Sequence, residues 1–254
     1  MSAAPPPDVA ALQAFLRTSA GRGRQVLRVA PFTVTIHPDD PLKFVNYAIP
    51  DDGARPDGAA IAALRDAFRA RDRVPRLEWI DEAAPDVADA LAAAGMAEEL
   101  RTPLMACTPD ALRSADAAVD GLVVAVVGDG DLHDLARVQR AAFGVAPAAA
   151  DEPPADPRRT GGGAVLARVA SEPVAAAGWT AVVDRCSEVA GVATAERWRR
   201  RRLAGVVTAA AARAAFAAGA RRCVLSPGDE RAQRVYARAG FRTAATMLHW
   251  SDRE

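Results

Sequence analysis

Hydrophobic periodicity divides the chain into two runs of elements in similar order. In the first, residues 9–18 have the spacing of a short amphipathic helix, ended by Gly21 and Gly23. Residues 26–29, 32–36 and 44–49 then read as strands separated by proline-bearing turns. Residues 59–70 place Ile61, Leu64 and Phe68 at i, i+3 and i+7, which is one buried helical face. A strand over 76–80, a helix over 85–94 and a strand over 99–107 follow, and 108–120 reads as a linker.

The second run opens with a strand over 122–127 and a helix over 129–143. Asp129 or Asp131 caps that helix, and Leu132, Leu135 and Val138 form its buried stripe. Residues 146–163, rich in Pro, Gly and acid, read as a mobile surface loop. Strands over 164–170, 174–180 and 189–194 lead into an arginine-packed turn at 197–202. The alanine-rich helix expected over 203–218 buries Leu203, Val207, Ala210 and Ala214; Phe216 lies outside that stripe, so the opposite face is covered too. A strand over 223–225, a helix carrying Tyr236 and a last strand over 243–250 complete the pattern.

Composition narrows the class. The chain has 254 residues, half of them hydrophobic, with 32 basic and 32 acidic side chains and a formal net charge of zero. That describes a globular protein with ample length for a packed core and excludes a general polyanion binder. Lys43 is the only lysine, a bias that goes with the abundance of alanine and points to a GC-rich genome. Cys107, Cys186 and Cys223 are far apart and unpatterned, which fits a reducing compartment and buried thiols. The start, MSAAPPPD, has no apolar signal region, and no apolar run is long enough to span a bilayer, so a cytoplasmic location is expected.

The chemistry concentrates between Glu188 and Phe241. A strand that feeds a helix through a tight basic turn forms a phosphate site, because the first helical amides lack partners and the macrodipole makes that end positive. Arg199, Arg200, Arg201 and Arg202 add charge just before those amides, and Ala204 and Gly205 are small enough for close backbone approach. Charge confined to one turn suits a pyrophosphate better than a nucleic-acid backbone. An RNA-binding module built on residues 197–202 lacks aromatic interleaving and sits in a chain of zero net charge.

Strand, arginine-rich turn, helix, strand and Tyr236-x-x-x-Gly240-Phe241 together resemble the core of the GNAT superfamily of acyl-coenzyme A-dependent N-acyltransferases. That family's turn reads Gln/Arg-x-x-Gly-x-Gly/Ala, which here is Arg199-Arg200-Arg201-Arg202-Leu203-Ala204. Arg202 replaces the first glycine: if the position needs a positive φ the arginine is strained, whereas a helical amide there tolerates it. The resemblance implies an α+β fold with a mixed, mostly antiparallel sheet flanked by helices. It also implies acetyl-coenzyme A as co-substrate, held by Val192, Ala193 and Thr194 through their backbone and by residues 199–205, with Asp229, Ala232 and Tyr236 along one helical face.

By the same resemblance Tyr236 protonates the leaving thiolate and Glu188 relays the amine's proton through water, in a direct attack within a ternary complex. The bland readings are a core tyrosine and a strand-end surface carboxylate. Cys186 and Ser187 have no histidine partner nearby in sequence, so a covalent mechanism has little support. No His, Cys or Asp cluster has metal-ligand spacing. His249 in the last strand could face the substrate cleft, while Trp179, Trp198 and Trp250 read as packing residues, Trp198 as a cover for the cofactor entrance.

The two runs echo each other at Ala94-Gly95-Met96 and Ala239-Gly240-Phe241. This reads as a duplication: residues 1–115 are a degenerate GNAT-like domain and 116–254 the acetyltransferase domain. In the first half Asp51, Asp52 and Asp57 stand where the second has arginines, and Leu91 stands where it has Tyr236. The expected partner is a small-molecule or protein amine, with no nucleic acid and no membrane, in a monomer or homodimer. The alternative, motivated by Arg202, is a non-catalytic member that binds an acyl-coenzyme A as a sensor.

Overall fold

A computed structural model describes residues 7–114, 116–146 and 153–252. Part of the loop expected to be mobile, residues 147–152, and most of the MSAAPPPD start lie outside the described residues. The chain divides into two units: Met1–Leu104 together with Thr243–Glu254, and Met105–Arg242.

The first unit contains helix α1 (Pro7–Ala20), strands β1 (Gln25–Val29), β2 (Phe32–Ile36) and β3 (Tyr47–Pro50), helix α2 (Gly58–Arg69), strand β4 (Arg76–Ile80), helix α3 (Val87–Ala93) and most of strand β5 (Ala97–Cys107). All of strand β11 (Arg242–Ser251) except its first residue also belongs here. The strand order is β1-β2-β3-β4-β11-β5, with β3 and β4 parallel at Ala48 and Leu77 and β11 antiparallel to β4 from Met247↔Ile80 to Ser251↔Arg76. Leu77, Trp79, Leu248 and Trp250 therefore enter one core with Ile61, Leu64, Phe68 and Leu91. The last strand, grouped by sequence order with the second half, serves the first. Phe44, expected inside a strand, lies in a 3-10 turn at Lys43–Val45 and is 62% exposed. The Asn46 amide nitrogen donates to the carbonyls of Asp40 and Leu42 and holds that turn in place of a ladder.

The second unit contains the last three residues of β5, strand β6 (Leu122–Val126), helix α4 (Leu132–Ala142), strands β7 (Gly163–Val169), β8 (Glu172–Trp179) and β9 (Cys186–Thr194), helix α5 (Leu203–Ala217), strand β10 (Arg222–Leu225) and helix α6 (Glu230–Arg238). Its order is β5-β10-β9-β8-β7-β6, antiparallel except for β9 and β10. Asp131 is the N-cap residue of α4 but makes no side-chain cap bond to it; its carboxylate accepts from the Gly128 amide at 2.8 Å and closes the preceding 3-10 turn, while Asp129 pairs with Arg158.

Helix α5 is buried along Leu203, Val207, Ala211 and Ala215 and again along Gly205, Thr208, Ala209 and Ala212. The expected stripe through Ala210 and Ala214 is displaced, because a run of alanines has no amphipathic contrast from which to read a face. Phe216 packs half-buried against the core of its own unit.

The Ala-Gly echo is structural. Gly95 at φ 80° and Gly240 at φ 101° end α3 and α6, and the amides of Met96 and Phe241 close back onto the carbonyls of Leu91 and Tyr236 at 3.0 and 3.1 Å. That is the Schellman arrangement, and the left-handed residue it requires is why glycine recurs. At Gly240 a Cβ would also lie 2.0 Å from the Ala111 carbonyl oxygen.

Candidate active site

Strand β9 sets up the site. It pairs with β10 only at Cys186, Ser187 and Glu188, opposite Arg222, Cys223 and Val224, while its other edge stays paired with β8 as far as Thr194. Between Ala190 and Ala193 the β8 register shifts at a bulge where Gly191 takes φ 61°. The Gln139 side chain on α4 donates to the Gly191 carbonyl at 2.8 Å, and a Cβ on Gly191 would lie 2.3 Å from that nitrogen. Residues 189–194 thus continue beyond β10 with one backbone edge outside the β9–β10 ladder.

The chain then turns through 195–202 into α5. Arg200 and Arg202 both take φ 65°, so the position where the family motif has glycine does require the left-handed conformation. Arg202 is the N-cap residue of α5, and no side chain caps that helix. A cavity of about 480 Å³ opens here, lined by Thr194, Arg199, Arg200, Arg202, Leu203, Ala204 and Gly205 from the turn and helix. Arg231, Arg234, Val235 and Arg238 of α6 complete its wall. The Thr194 hydroxyl oxygen is buried with no hydrogen-bond partner. An orphaned hydroxyl, open helix-start amides and six guanidinium groups around one cavity form a donor set that suits a diphosphate.

The predicted residues fall into three groups. Thr194, Arg199, Arg200, Arg202, Leu203, Ala204 and Gly205 meet at the cavity. Arg201 turns away, its guanidinium 4.8 Å from the Trp198 ring centroid; Trp198 donates to Glu172 at 2.9 Å and is outside the lining. Ala193 is buried against α4, and Val192 packs on the unit's core.

Asp229 is the N-cap of α6, its carboxylate accepting from the Ala232 amide at 2.7 Å, so neither group lines the cavity. Tyr236, 9% exposed, is in the core with Leu203, Val207 and Phe241. Burial, with Asp229 adding to it, pushes its phenol up to about 12. Glu188 is the third residue of β9 and half-buried, at the last position paired with β10. Burial pushes the Cys186 thiol up, and Ser187 is fully buried and donates to the Thr180 carbonyl.

His249 lies in the first unit, 3.2 Å from Arg76 Nη2 and 3.5 Å from Glu78. The α6 arginines were missed from sequence, although their i, i+3, i+7 spacing was there to be read.

A sequence model of the Acetyltransferase (GNAT) family matches residues 132–241. A solved GCN5-related N-acetyltransferase from Kribbella flavida is 33% identical and superimposes with a TM-score of 0.82, covering 97% of this chain and 96% of that one. The chain belongs to the GCN5-related N-acetyltransferase (GNAT) family. Two more distant structures share the fold. A GCN5-related N-acetyltransferase from Sphaerobacter thermophilus is 15% identical, with a TM-score of 0.61 over 87% of this chain and 80% of that one. A tandem GNAT protein from the clavulanic acid biosynthesis pathway is 14% identical, with a TM-score of 0.60 over 98% of this chain and 88% of that one. The mixed, mostly antiparallel sheet with flanking helices is thus a tandem GNAT fold. No curated relative matches the chain. Among the described residues no helix is long and apolar enough to cross a membrane.

Proposed function

We propose that the second unit moves an acetyl group from acetyl-coenzyme A to a primary amine by direct attack in a ternary complex. The observation that carries this reading is the cavity at the start of α5, where uncapped amides, six arginines and an unpartnered Thr194 hydroxyl converge at the end of an open strand edge. Bound there, the coenzyme supplies an activated thioester.

The residues of the chain do the rest. Arg199, Arg200 and Arg202 hold the diphosphate, together with the amides of Leu203, Ala204 and Gly205. The open edge of β9 offers backbone groups to the pantetheine arm and to the carbonyl at which charge develops. Glu188 lies six residues back from Thr194, about 20 Å at a strand's rise, a separation on the scale of an extended pantetheine arm. There it takes the amine's proton through water. Tyr236, whose phenol burial pushes up to about 12, is protonated at neutral pH and is the proton donor for the departing thiolate.

Tyr236→Phe tests this. Turnover in a thiol-release assay against an amine panel is expected to fall by roughly 10²–10⁴-fold with acetyl-coenzyme A affinity unchanged. A variant that acetylates a responsive amine as fast as the parent removes Tyr236 from the mechanism. A second reading, a non-catalytic acyl-coenzyme A sensor, is favoured by the burial of Tyr236 in the core outside the cavity lining. It predicts calorimetric binding with no thiol release from any amine.

A further inference from the structure

We infer that β6 is the interface of a homodimer, in which two copies of the second unit join edge to edge, antiparallel, about a twofold axis at Val124. The inference goes beyond the proposed acetyl transfer and stands without it.

The edge itself is open. Strand β6 pairs with β7 from Leu122↔Val169 to Val126↔Val165 and ends the sheet of its unit, with no strand on its other side among the described residues. The Val127 amide donates to the Ala164 carbonyl at 2.9 Å, so the odd-numbered residues of this strand bond β7. The backbone groups of Leu122, Val124 and Val126 therefore point outward. Sheet edges are normally blunted by a charge, a proline or a bulge, and Leu-Val-Val-Ala-Val in regular register has none of these. Val123 is 63% and Val126 60% exposed.

An apolar groove of about 410 Å³ lies beside that edge. Val124, Val126 and Val165 line it from the sheet, Ala210 and Ala214 from α5, and Arg213 is the one charged side chain in its wall. Leu122 and Val124 pack toward the core that holds α5, so the residues with outward backbone groups also face the groove. A strand laid along β6 places alternate side chains over it, and the alanines leave room for an aliphatic one.

Register and charge select a second copy as that strand. With Val124 opposite the partner's Val124, Leu122 faces the partner's Val126 and Val123 the partner's Ala125. Every outward residue of both strands then exchanges N–H···O=C bonds, and the ladder closes on itself as an isologous interface must. Leu122 enters the partner's groove, and on the other face a large side chain meets a small one. Asp120 falls level with the partner's Gly128, at the far end of the partner's β6 and on the groove face. Helix α5 runs antiparallel to β9 and hence along β6, which brings Arg213, late in the helix, toward that same end. Arg213 is exposed and donates to the Ser114 hydroxyl at 3.2 Å. Among the described residues neither it nor exposed Asp120 pairs with an opposite charge. The twofold axis makes the Arg213–Asp120 pair twice, and zero formal net charge keeps the copies from repelling each other.

The test is sedimentation equilibrium on the full chain. At about 100 μM, where a dimer of roughly micromolar affinity is mostly associated, the parent should sediment at twice the mass of one chain. Val126→Lys puts a charge on the edge and should give a monomer with the parent's circular dichroism, because that side chain is exposed. Arg213→Asp and Asp120→Arg each set like charges face to face twice per dimer and should loosen it roughly tenfold, while the double variant restores the parent's affinity. A parent that is monomeric at this concentration overturns the inference and leaves the edge to a strand from another protein. A dimer indifferent to Val126→Lys, or a charge swap that restores nothing, places the interface elsewhere and overturns it as well.

Discussion

Arg202 allows the backbone of the phosphate turn to be tested apart from its charge. The residue sits at φ 65° and ψ 7° immediately before α5. An L-residue with a side chain is disfavoured there by about 1–2 kcal/mol. Glycine escapes that strain but gives a looser unfolded chain, which costs about 0.5–1 kcal/mol relative to alanine. Arg202→Gly and Arg202→Ala remove the same guanidinium, yet only alanine keeps the strain. Subtracting the two effects, the glycine variant should be more stable than the alanine variant by about 0.5–1 kcal/mol.

At a right-handed helical position the order reverses, since glycine there lies about 1 kcal/mol below alanine. The sign alone therefore reports the conformation. Thermal denaturation without ligand resolves it, because a difference of about 1 kcal/mol moves the midpoint by roughly 2–4 °C in a chain of this length. Both variants should bind acetyl-coenzyme A more weakly than the parent, and by a similar factor, since each loses one cavity cation. An alanine variant as stable as the glycine variant, or more stable, refutes the left-handed assignment and the match to the family's glycine position.

Two further predictions concern the first unit. Leu248→Ala removes a fully buried side chain of β11 from the core that holds Leu77 and Trp79, and should cost about 2–5 kcal/mol. Amide exchange should speed up in β1–β4 and stay slow in β7–β9; faster exchange confined to β7–β9 would refute the pairing of the last strand with β4. Glu99 supplies a pH prediction. Burial alone would raise its carboxyl, but hydrogen bonds from Lys43, Arg76 and Ser251 outweigh it and bring it down to about 2. A depressed carboxyl contributes stability above its unfolded value of about 4.5, and that contribution fades as pH falls toward about 2. Glu99→Gln should flatten the loss of stability across that window, and an unchanged acid limb in urea titrations would show that the cluster is not coupled to folding.

Much of this was legible because strands and turns write themselves locally. The β4 and β2 runs matched residue for residue, and the Gly95 and Gly240 stops could be read because a left-handed helix end has few alternatives to glycine. What escaped depended on distant partners. No local pattern tells β11 to pair with β4, since a strand's own residues do not name its neighbour. Phe44 looks like a strand residue until Asn46 bonds the turn from inside. In α5 the alanines hide which face is buried, and in α6 arginines at 231, 234 and 238 look in sequence like any solvated helix face. The turn arginines could be found from sequence, but not that Arg201 stacks on Trp198 while its neighbours line the cavity.

The two halves build the same corner and wire it oppositely. β3 leads through residues 51–57 to α2, and β9 leads through 195–202 to α5. In the first corner Asp52 pairs with Arg17 at 2.6 Å, Asp51 pairs with Arg28, and Asp57 caps α2 by accepting from the Ala60 amide at 2.8 Å. A helix start already met by the chain's own carboxylate has little to offer a phosphate, and the neighbouring acids repel one. The second corner gives up that internal satisfaction. Arg202 has no acceptor to cap α5, and omitting a capping side chain costs about 1 kcal/mol. Left-handed Arg200 and Arg202 add strain of about 1–2 kcal/mol each. A fold tolerates such a concentration of unmet groups where a ligand supplies what is missing, so the absent cap of α5 points to an anion as directly as the arginines do.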